Sequence, residues 1–190
     1  MFKIINNNEN IDKKQIAELF RFYTNDLRPI VAEMGTQELT GYHGLTTHTD
    51  AVVFRGIDCA LSLNQNAMPV VFACAFHDMA RTDDDFNLQH GPNAVPLAKI
   101  IMNKYENLLD DKSKEMILFA IANHTNGEIA PDYVSACLWD ADRIRLSWGY
   151  GYESRFYNTE RGDKIASGAP ENYLDLQNQC IPDHKWDKTY

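Results

Sequence analysis

A chain of 190 residues with 44% hydrophobic and 24% charged residues has the size and composition of one ordinary globular domain, which can bury a core without disulfide or metal staples. Its net charge of −9 and its lack of lysine or arginine runs argue against duplex nucleic acid as a partner, because proteins that bind it normally present a basic face. A small anionic substrate remains compatible with this charge, since a bound cation reverses the local field.

Almost every periodic segment has the spacing of a helix, beginning with residues 12–27, which Pro29 is expected to end. Residues 48–63 repeat apolar positions at helical offsets. Residues 69–80 are apolar enough for a buried strand, but their length and a proline at the first-turn position favour a buried helix. Further helices are predicted over residues 93–108, 112–124 and 131–148.

Residues 149–190 are rich in glycine, tyrosine and charge, and no element is assigned to them. We expect them to form a C-terminal extension that packs on a core of about residues 41–148, with a lid over a site as its alternative role. The sequence therefore predicts a single all-α domain over residues 1–190, a bundle of six or more helices.

The cysteines are scattered, without a C-x-x-C pair, at Cys59, Cys74, Cys137 and Cys180. The first three lie among apolar residues, which is typical of small buried side chains rather than of a zinc finger or a disulfide framework. The N-terminal segment lacks the apolar stretch of a signal peptide, and no apolar run approaches the roughly 20 residues of a membrane span. We therefore expect a cytoplasmic protein with no membrane partner.

Several helical segments carry an ionisable residue on the face where the period predicts the core. His77 follows Val70 and Cys74 by seven and three residues and so shares their face. Asp78 lies about 100° further around the same helix, where a carboxylate is costly unless it is paired or binds a metal. Adjacent His and Asp side chains at a helix end can both reach one cation.

His48, His124 and Asp142 also lie on apolar helix faces. A lone histidine on such a face is usually a core residue with its hydrogen bonds satisfied, but several of them in one all-α chain indicate a metal site. Imidazole nitrogen with carboxylate oxygen suits a divalent transition metal, namely Mn²⁺, Fe²⁺, Ni²⁺, Co²⁺ or Zn²⁺. Two histidines and two carboxylates leave coordination positions open for water and substrate.

The ordered set His48, His77-Asp78 and Asp142 resembles the HD superfamily of metal-dependent phosphohydrolases. The local sequences that carry the resemblance are HGLTTHTDAVV, FACAFHDMAR and CLWDADRIRL, with LQHGPNAVPLA and IANHTNG resembling the additional histidine positions of small bacterial members. Together they span about residues 41–148. The resemblance implies an all-α HD domain whose metal is held by His48, His77, Asp78 and Asp142.

Asp140 and Asp142 compete for the last ligand position. Two residues apart, they point about 200° from each other on a helix, so both cannot bind one metal. Periodicity does not choose between them, because each shares a face with apolar neighbours. The resemblance selects Asp142, the aspartate directly before Arg143, and leaves Asp140 to support the site or pair helices.

His90 and His124 have two alternative roles under the resemblance. They either build a second metal site or face the substrate phosphate, and His90 has the further alternative of a loop or capping residue before Pro92. The chain is therefore expected to hold one or two ions. His43 precedes His48 by five residues where related proteins are expected to have four, so we leave His43 out of the metal site.

Arg81 and Asp84 are candidate catalytic residues near this site. Arg81 lies one turn after His77 and either binds a substrate phosphate or pairs with the acidic run Asp83 to Asp85. Asp84 is either a general acid or base or part of a solvated acidic loop. Arg143 is expected to pair with a carboxylate.

The aromatic residues after the last predicted helix also have two interpretations. Tyr150, Tyr152, Phe156 and Tyr157, with Arg155 among them, either form a lid that stacks on a base or pack the last segment onto the body. We favour the packing interpretation.

The predicted function is metal-dependent hydrolysis of a nucleotide or a similar phosphomonoester or phosphodiester. The ion would polarise a phosphoryl oxygen and activate water, with His90, His124 or Arg81 stabilising the developing charge. The alternatives are a mixed-valent di-iron HD oxygenase and a metal-stabilised nucleotide-binding module without turnover. The oligomeric state stays open, with a homodimer as the common arrangement for small cytosolic enzymes.

Overall fold

The computed structural model describes residues 12–85 and 87–186, so most of the N-terminal segment considered above for a signal peptide lies outside it, as do the last four residues. Within these ranges the chain forms nine α-helices and no β-strand: α1 (Lys13–Phe22), α2 (Arg28–Met34), α3 (Asp50–Ser62), α4 (Met68–Phe76), α5 (His90–Met102), α6 (Asp111–Asn123), α7 (Tyr133–Tyr150), α8 (Glu160–Ser167) and α9 (Pro170–Cys180). The predicted all-α fold of six or more helices is confirmed. None of these helices is long and apolar enough to cross a bilayer.

Prolines shift two predicted helix boundaries. Pro29 does not end the first helix; a π-helical turn over Tyr23–Leu27 leads into α2, where Pro29 occupies the first turn and needs no N–H partner. Likewise α5 begins at His90, with Pro92 inside its first turn, rather than after it. The apolar segment 69–80 is the buried helix α4, which ends at Phe76 and leaves His77 as its C-cap.

The core is built around α3 and α4, which pack against each other and against α7. In α4 every side chain from Pro69 to Phe76 is buried, so the helix is apolar on all sides and lies at the centre of the bundle. The segment after α7 is helical: α8 packs on α7 and α3, and α9 packs on α1. All four cysteines are buried free thiols.

Buried carboxylates fasten α8 to the bundle. Asp140 of α7 accepts hydrogen bonds from the backbone N–H groups of Asn158 and Thr159, at 2.7 Å each, and Thr159 is the N-cap of α8. Asp58 of α3 accepts a two-pronged pair from Arg161, at 3.0 and 2.8 Å. The C-terminal helices therefore dock through satisfied buried charges as well as through apolar contact.

Gly56 sets how closely α3 approaches α4. A Cβ at this position would lie 2.5 Å from Cys74 Sγ and 3.0 Å from Val70 Cγ1. We expect Gly56→Ala to lower the free energy of unfolding by about 2 kcal/mol. Alanine is normally the better helix former, but here the cost of overpacking exceeds the gain in helix propensity. Chemical denaturation measures the change.

Gly149 of α7 provides the matched control for this prediction, because nothing lies within 4 Å of a Cβ built there. Gly149→Ala should be neutral or stabilising. Adding Cys74→Ala to Gly56→Ala should restore part of the loss, since it removes the clashing sulfur. Equal effects of the two glycine substitutions would contradict the overpacking argument.

Candidate metal centre

Five segments bring the predicted site residues together at one place in the bundle. His48 lies in a π-helical turn, Leu45–Thr49, that leads into α3; His77 and Asp78 follow α4 directly. His90 is the first residue of α5 and His124 is the C-cap of α6. The remaining site residue, Asp142, projects from the middle of α7. Apart from Asp142, the site is made from helix ends, where the chain turns and side chains can converge.

The first group consists of His48, His77, Asp78 and Asp142. His48 Nε2 lies 3.0 Å from Asp142 Oδ1, 3.2 Å from His77 Nε2 and 3.8 Å from Asp78 Oδ2. His77 Nε2 lies 3.4 Å from Asp78 Oδ2 and 3.7 Å from Asp142 Oδ1. Ligand atoms around one octahedral ion at the usual bond lengths are about 3 Å apart, so these separations are close to those of a metal site.

The second group consists of Asp78, His90 and His124. The other oxygen of Asp78, Oδ1, lies 3.1 Å from His90 Nε2 and 3.5 Å from His124 Nε2. His90 Nε2 and His124 Nε2 are 2.7 Å apart. His48, His77 and Asp78 of the first group could hold a metal ion, as could the three residues of the second, and the two sets share the carboxylate of Asp78.

The outer nitrogens of three histidines fix which ring atom faces the centre. Nδ1–H of His77 donates to the carbonyl of Cys74 at 2.8 Å, that of His124 to Ile121 at 2.7 Å, and that of His90 to Asn87. When these rings are neutral, each Nε2 directs a lone pair inward. The lone pairs of His90 Nε2 and His124 Nε2 repel each other at their separation of 2.7 Å. A proton or a metal ion between or beside them removes this repulsion.

Charge at the first group also favours a cation. Burial opposes ionisation of Asp78, but the neighbouring imidazoles, His77 above all, hold its pKa well below its usual range. Burial likewise opposes the charged form of His77, yet the carboxylates of Asp78 and Asp142 outweigh it and raise its pKa to about 9. Both pKa shifts mean that the two carboxylates favour positive charge at this place, which a divalent ion would supply. The donor set of imidazole nitrogen and carboxylate oxygen fits a divalent transition metal.

Asp140 and Asp142 occupy different environments. Asp142 reaches His48, whereas Asp140 is fully buried and bonds to Asn158 and Thr159 at the start of α8. Burial raises the pKa of Asp140 to about 6, against the lowering effect of these donors. The helix thus separates the two carboxylates in the way that its 100° step requires.

Arg81 and Asp84 both lie at the cavity above the metal groups. Arg81 Nε is 3.4 Å from Asp78 Oδ2, and its NH1 donates to the backbone carbonyls of Asp83 and Asp85. One expected role of Arg81 was pairing with the acidic run. Arg81 does bond to this run, but its partners there are backbone carbonyls rather than carboxylates. Asp84 is half exposed, and Oδ1 accepts from the backbone N–H and Nδ1 of His43 at 3.0 and 2.9 Å.

His43 stays outside both groups but lies beside them. Its ring packs edge-on against His48, with 5.4 Å between ring centroids. The π-helical turn Leu45–Thr49 explains the unusual spacing of five residues, because such a turn holds one residue more than an α-helical turn.

The cavity over the two groups has a volume of about 540 Å³ and an aromatic and cationic wall. Arg145 stacks on the Tyr42 ring at 4.0 Å and donates to the Tyr42 carbonyl at 2.7 Å. Sequence analysis missed Arg145, although it lies three residues after Asp142 and therefore on a neighbouring part of the same helix face. Tyr150 is exposed at the rim.

The aromatic residues from Tyr150 onward divide between packing and the cavity rim. Tyr157 is buried, and its hydroxyl donates to the Arg143 carbonyl at 3.2 Å. Tyr152 stacks on Tyr157 and bonds to Asp163. Packing, the favoured interpretation, describes these two residues, whereas Tyr150 lines the cavity. Arg143 differs from expectation, because its described partners are backbone carbonyls rather than a carboxylate.

Comparison with known proteins supports the fold. No family model matches the chain, and no curated protein matches it. A solved structure does: a predicted HD superfamily hydrolase from an uncultured Thermotogales bacterium, at 18% identity and a TM-score of 0.54, with 89% of this chain and 91% of that chain covered. The chain therefore has the fold of an HD superfamily hydrolase, as the sequence resemblance implied, and it carries buried His/Asp groups that could hold a metal.

Proposed function

We propose that this protein is a metal-dependent phosphohydrolase with two adjacent divalent ions, acting on a nucleotide or a related phosphoester. The observation that carries the proposal is the Asp78 carboxylate, which offers Oδ2 to His48 and His77 and Oδ1 to His90 and His124. In this arrangement Asp78 would help to hold both ions. Asp142 completes the first group.

Ions held there would supply Lewis acidity toward a phosphoryl oxygen and would lower the pKa of a bound water. The chain itself supplies the binding surface for the anion. Arg81 lies directly above Asp78 and is only slightly exposed, so its guanidinium can bind phosphate oxygens beside the metal groups.

The rest of the substrate would lie against another part of the cavity wall. Tyr42 and Tyr150 give this part of the cavity apolar faces, and Arg145 backs Tyr42. A volume of about 540 Å³ is in the range of small-molecule sites and suits a mononucleotide-sized ligand. Asp84 would hold His43 in place at the rim rather than act directly on the phosphate.

The same ligand set supports the second candidate, a mixed-valent di-iron oxygenase. The observation in its favour is the pair of groups on six residues, namely His48, His77, Asp78, His90, His124 and Asp142. Arg81 and Arg145 at the cavity suit the anionic phosphoester of the first proposal.

A metal and substrate panel tests the proposal. Protein stripped by a chelator should release no phosphate from nucleoside mono-, di- and triphosphates or from p-nitrophenyl phosphate. Reloading with Mn²⁺, Fe²⁺, Co²⁺, Ni²⁺ or Zn²⁺ in turn should restore phosphate release with at least one of these metals.

Two other outcomes would point elsewhere. An iron-loaded protein with a mixed-valent EPR signal, O₂ consumption and no phosphate release would favour the oxygenase. Tight nucleotide binding that survives chelation, with no product under any metal, would favour a binding module.

A further inference from the structure

Arg143 follows the proposed ligand Asp142 on α7, but its donors point toward a different part of the site. Its NH2 donates to the backbone carbonyl of His124, at 3.4 Å, and to that of Gly127. Its NH1 donates to the carbonyl of Phe156 at 3.3 Å. One guanidinium thus bonds the loop after α6 and the segment after α7.

The loop that Arg143 holds begins at a second proposed ligand. His124 is the C-cap of α6, so its carbonyl has no partner within that helix and needs a donor from elsewhere. Arg143 supplies one. Because a guanidinium presents several N–H groups in one plane, it can reach three carbonyls, which a lysine ammonium on a flexible stem cannot do with the same geometry.

Trp139, one turn earlier on α7, supports the same loop. Its indole N–H donates to the Ala120 carbonyl of α6 at 3.0 Å, and the Arg143 guanidinium lies 5.8 Å above its ring. A Cβ on Gly127 would lie 2.4 Å from Trp139 Cη2, so the loop rests directly on the indole. The loop after His124 is therefore fixed from two sides by α7.

We infer that Arg143 is a positioning residue that fixes His124 relative to Asp142 and thereby aligns the second metal group with the first. The inference rests on the proposed function insofar as both groups bind ions. His124 Nε2 lies 3.5 Å from Asp78 Oδ1 and 2.7 Å from His90 Nε2. Metal bond lengths tolerate only a few tenths of an ångström, so a loose His124 would weaken the second group and leave the first intact.

Arg143→Met, which keeps the apolar stem and removes the donors, tests the inference by Co²⁺ titration with calorimetric and visible-spectrum detection. The first ion should bind as in the wild type. The second should bind about 10- to 100-fold more weakly, the usual cost of losing a group that orients a ligand. Arg143→Lys should recover part of this loss. Exposed Arg155→Met, which removes a pair with Glu153 and a contact with the Phe156 ring, should change neither ion.

Spectra of the ¹⁵N-labelled histidine rings provide a readout that does not depend on cations. In Arg143→Met the His124 signals should move toward those of a solvated, tautomer-averaged ring, while those of His48 and His77 stay unchanged. Unchanged His124 signals, or equal weakening of both ions with a lower Tm, would overturn the inference. A wild-type protein that binds one ion, or none, would contradict the proposed function instead, and the ring spectra would still decide the role of Arg143.

Discussion

Asp78→Ala is expected to remove both ions and to lower kcat/KM for phosphate release by about 10³-fold or more, because the ions supply several kcal/mol of transition-state stabilisation. Asp78 is the one residue that contributes to both groups, with Oδ2 on the side of His48 and His77 and Oδ1 on the side of His90 and His124. Metal content per chain and phosphate release measure the effect.

Asp78→Asn makes the prediction sharper. It keeps the volume of the side chain and one oxygen, but its amide nitrogen cannot bind a cation. We therefore expect it to retain at most one ion. Asp175→Ala, at an exposed position of α9 outside the cavity, should change neither metal content nor activity. Full metal content and activity in Asp78→Ala would falsify the shared-carboxylate arrangement.

The second large effect distinguishes Asp140 from Asp142, which helical periodicity could not rank as metal ligands. Asp140→Ala leaves the buried N–H groups of Asn158 and Thr159 without their acceptor. We expect this substitution to cost about 3 kcal/mol of unfolding free energy, since an unsatisfied buried donor costs about 1–3 kcal/mol. For a domain of this size that loss lowers Tm by about 9 °C. Thermal unfolding in a chelator measures the effect without any contribution from bound metal.

Asp142→Ala should behave in the opposite way. Its carboxylate faces His48 rather than backbone donors, so the chelated protein should keep most of its stability. The first ion should bind much more weakly, and phosphate release should fall with it. Folded Asp140→Ala, measured well below its Tm, should keep its metal. If Asp140→Ala lost metal while Asp142→Ala lost only stability, the two assignments would have to be exchanged.

Helical periodicity was sufficient for most of the fold but not for its ends. The apolar run of α4 predicted a buried helix correctly, because a helix at the centre of a bundle is apolar on every side. Periodicity did not reveal α8 and α9, whose amphipathic patterns are short and lie among polar residues. Their docking depends on pairs such as Asp58 with Arg161, residues more than a hundred positions apart that no local window connects.

The candidate site divides in the same way. His77 and Asp78 could be identified from the sequence, since their place at the end of an apolar helix makes buried ionisable groups costly without a partner. The choice of Asp142 came from the resemblance, because Asp140 lies on an equally apolar face. Two other features of the site could not be predicted, because they depend on contacts between distant segments. Arg143 bonds to the His124 loop, and Arg145 stacks on Tyr42.

By itself, the sequence determined the helical class of this protein and indicated His77 and Asp78 as candidate metal ligands, because both follow from residue type and local period. Only the tertiary structure decided that one carboxylate, Asp78, lies between two groups of histidines. The physical reason is geometric. Sequence spacing sets the direction of a side chain on its own helix, whereas the distance between His48 and His124 is set by how separate helices pack.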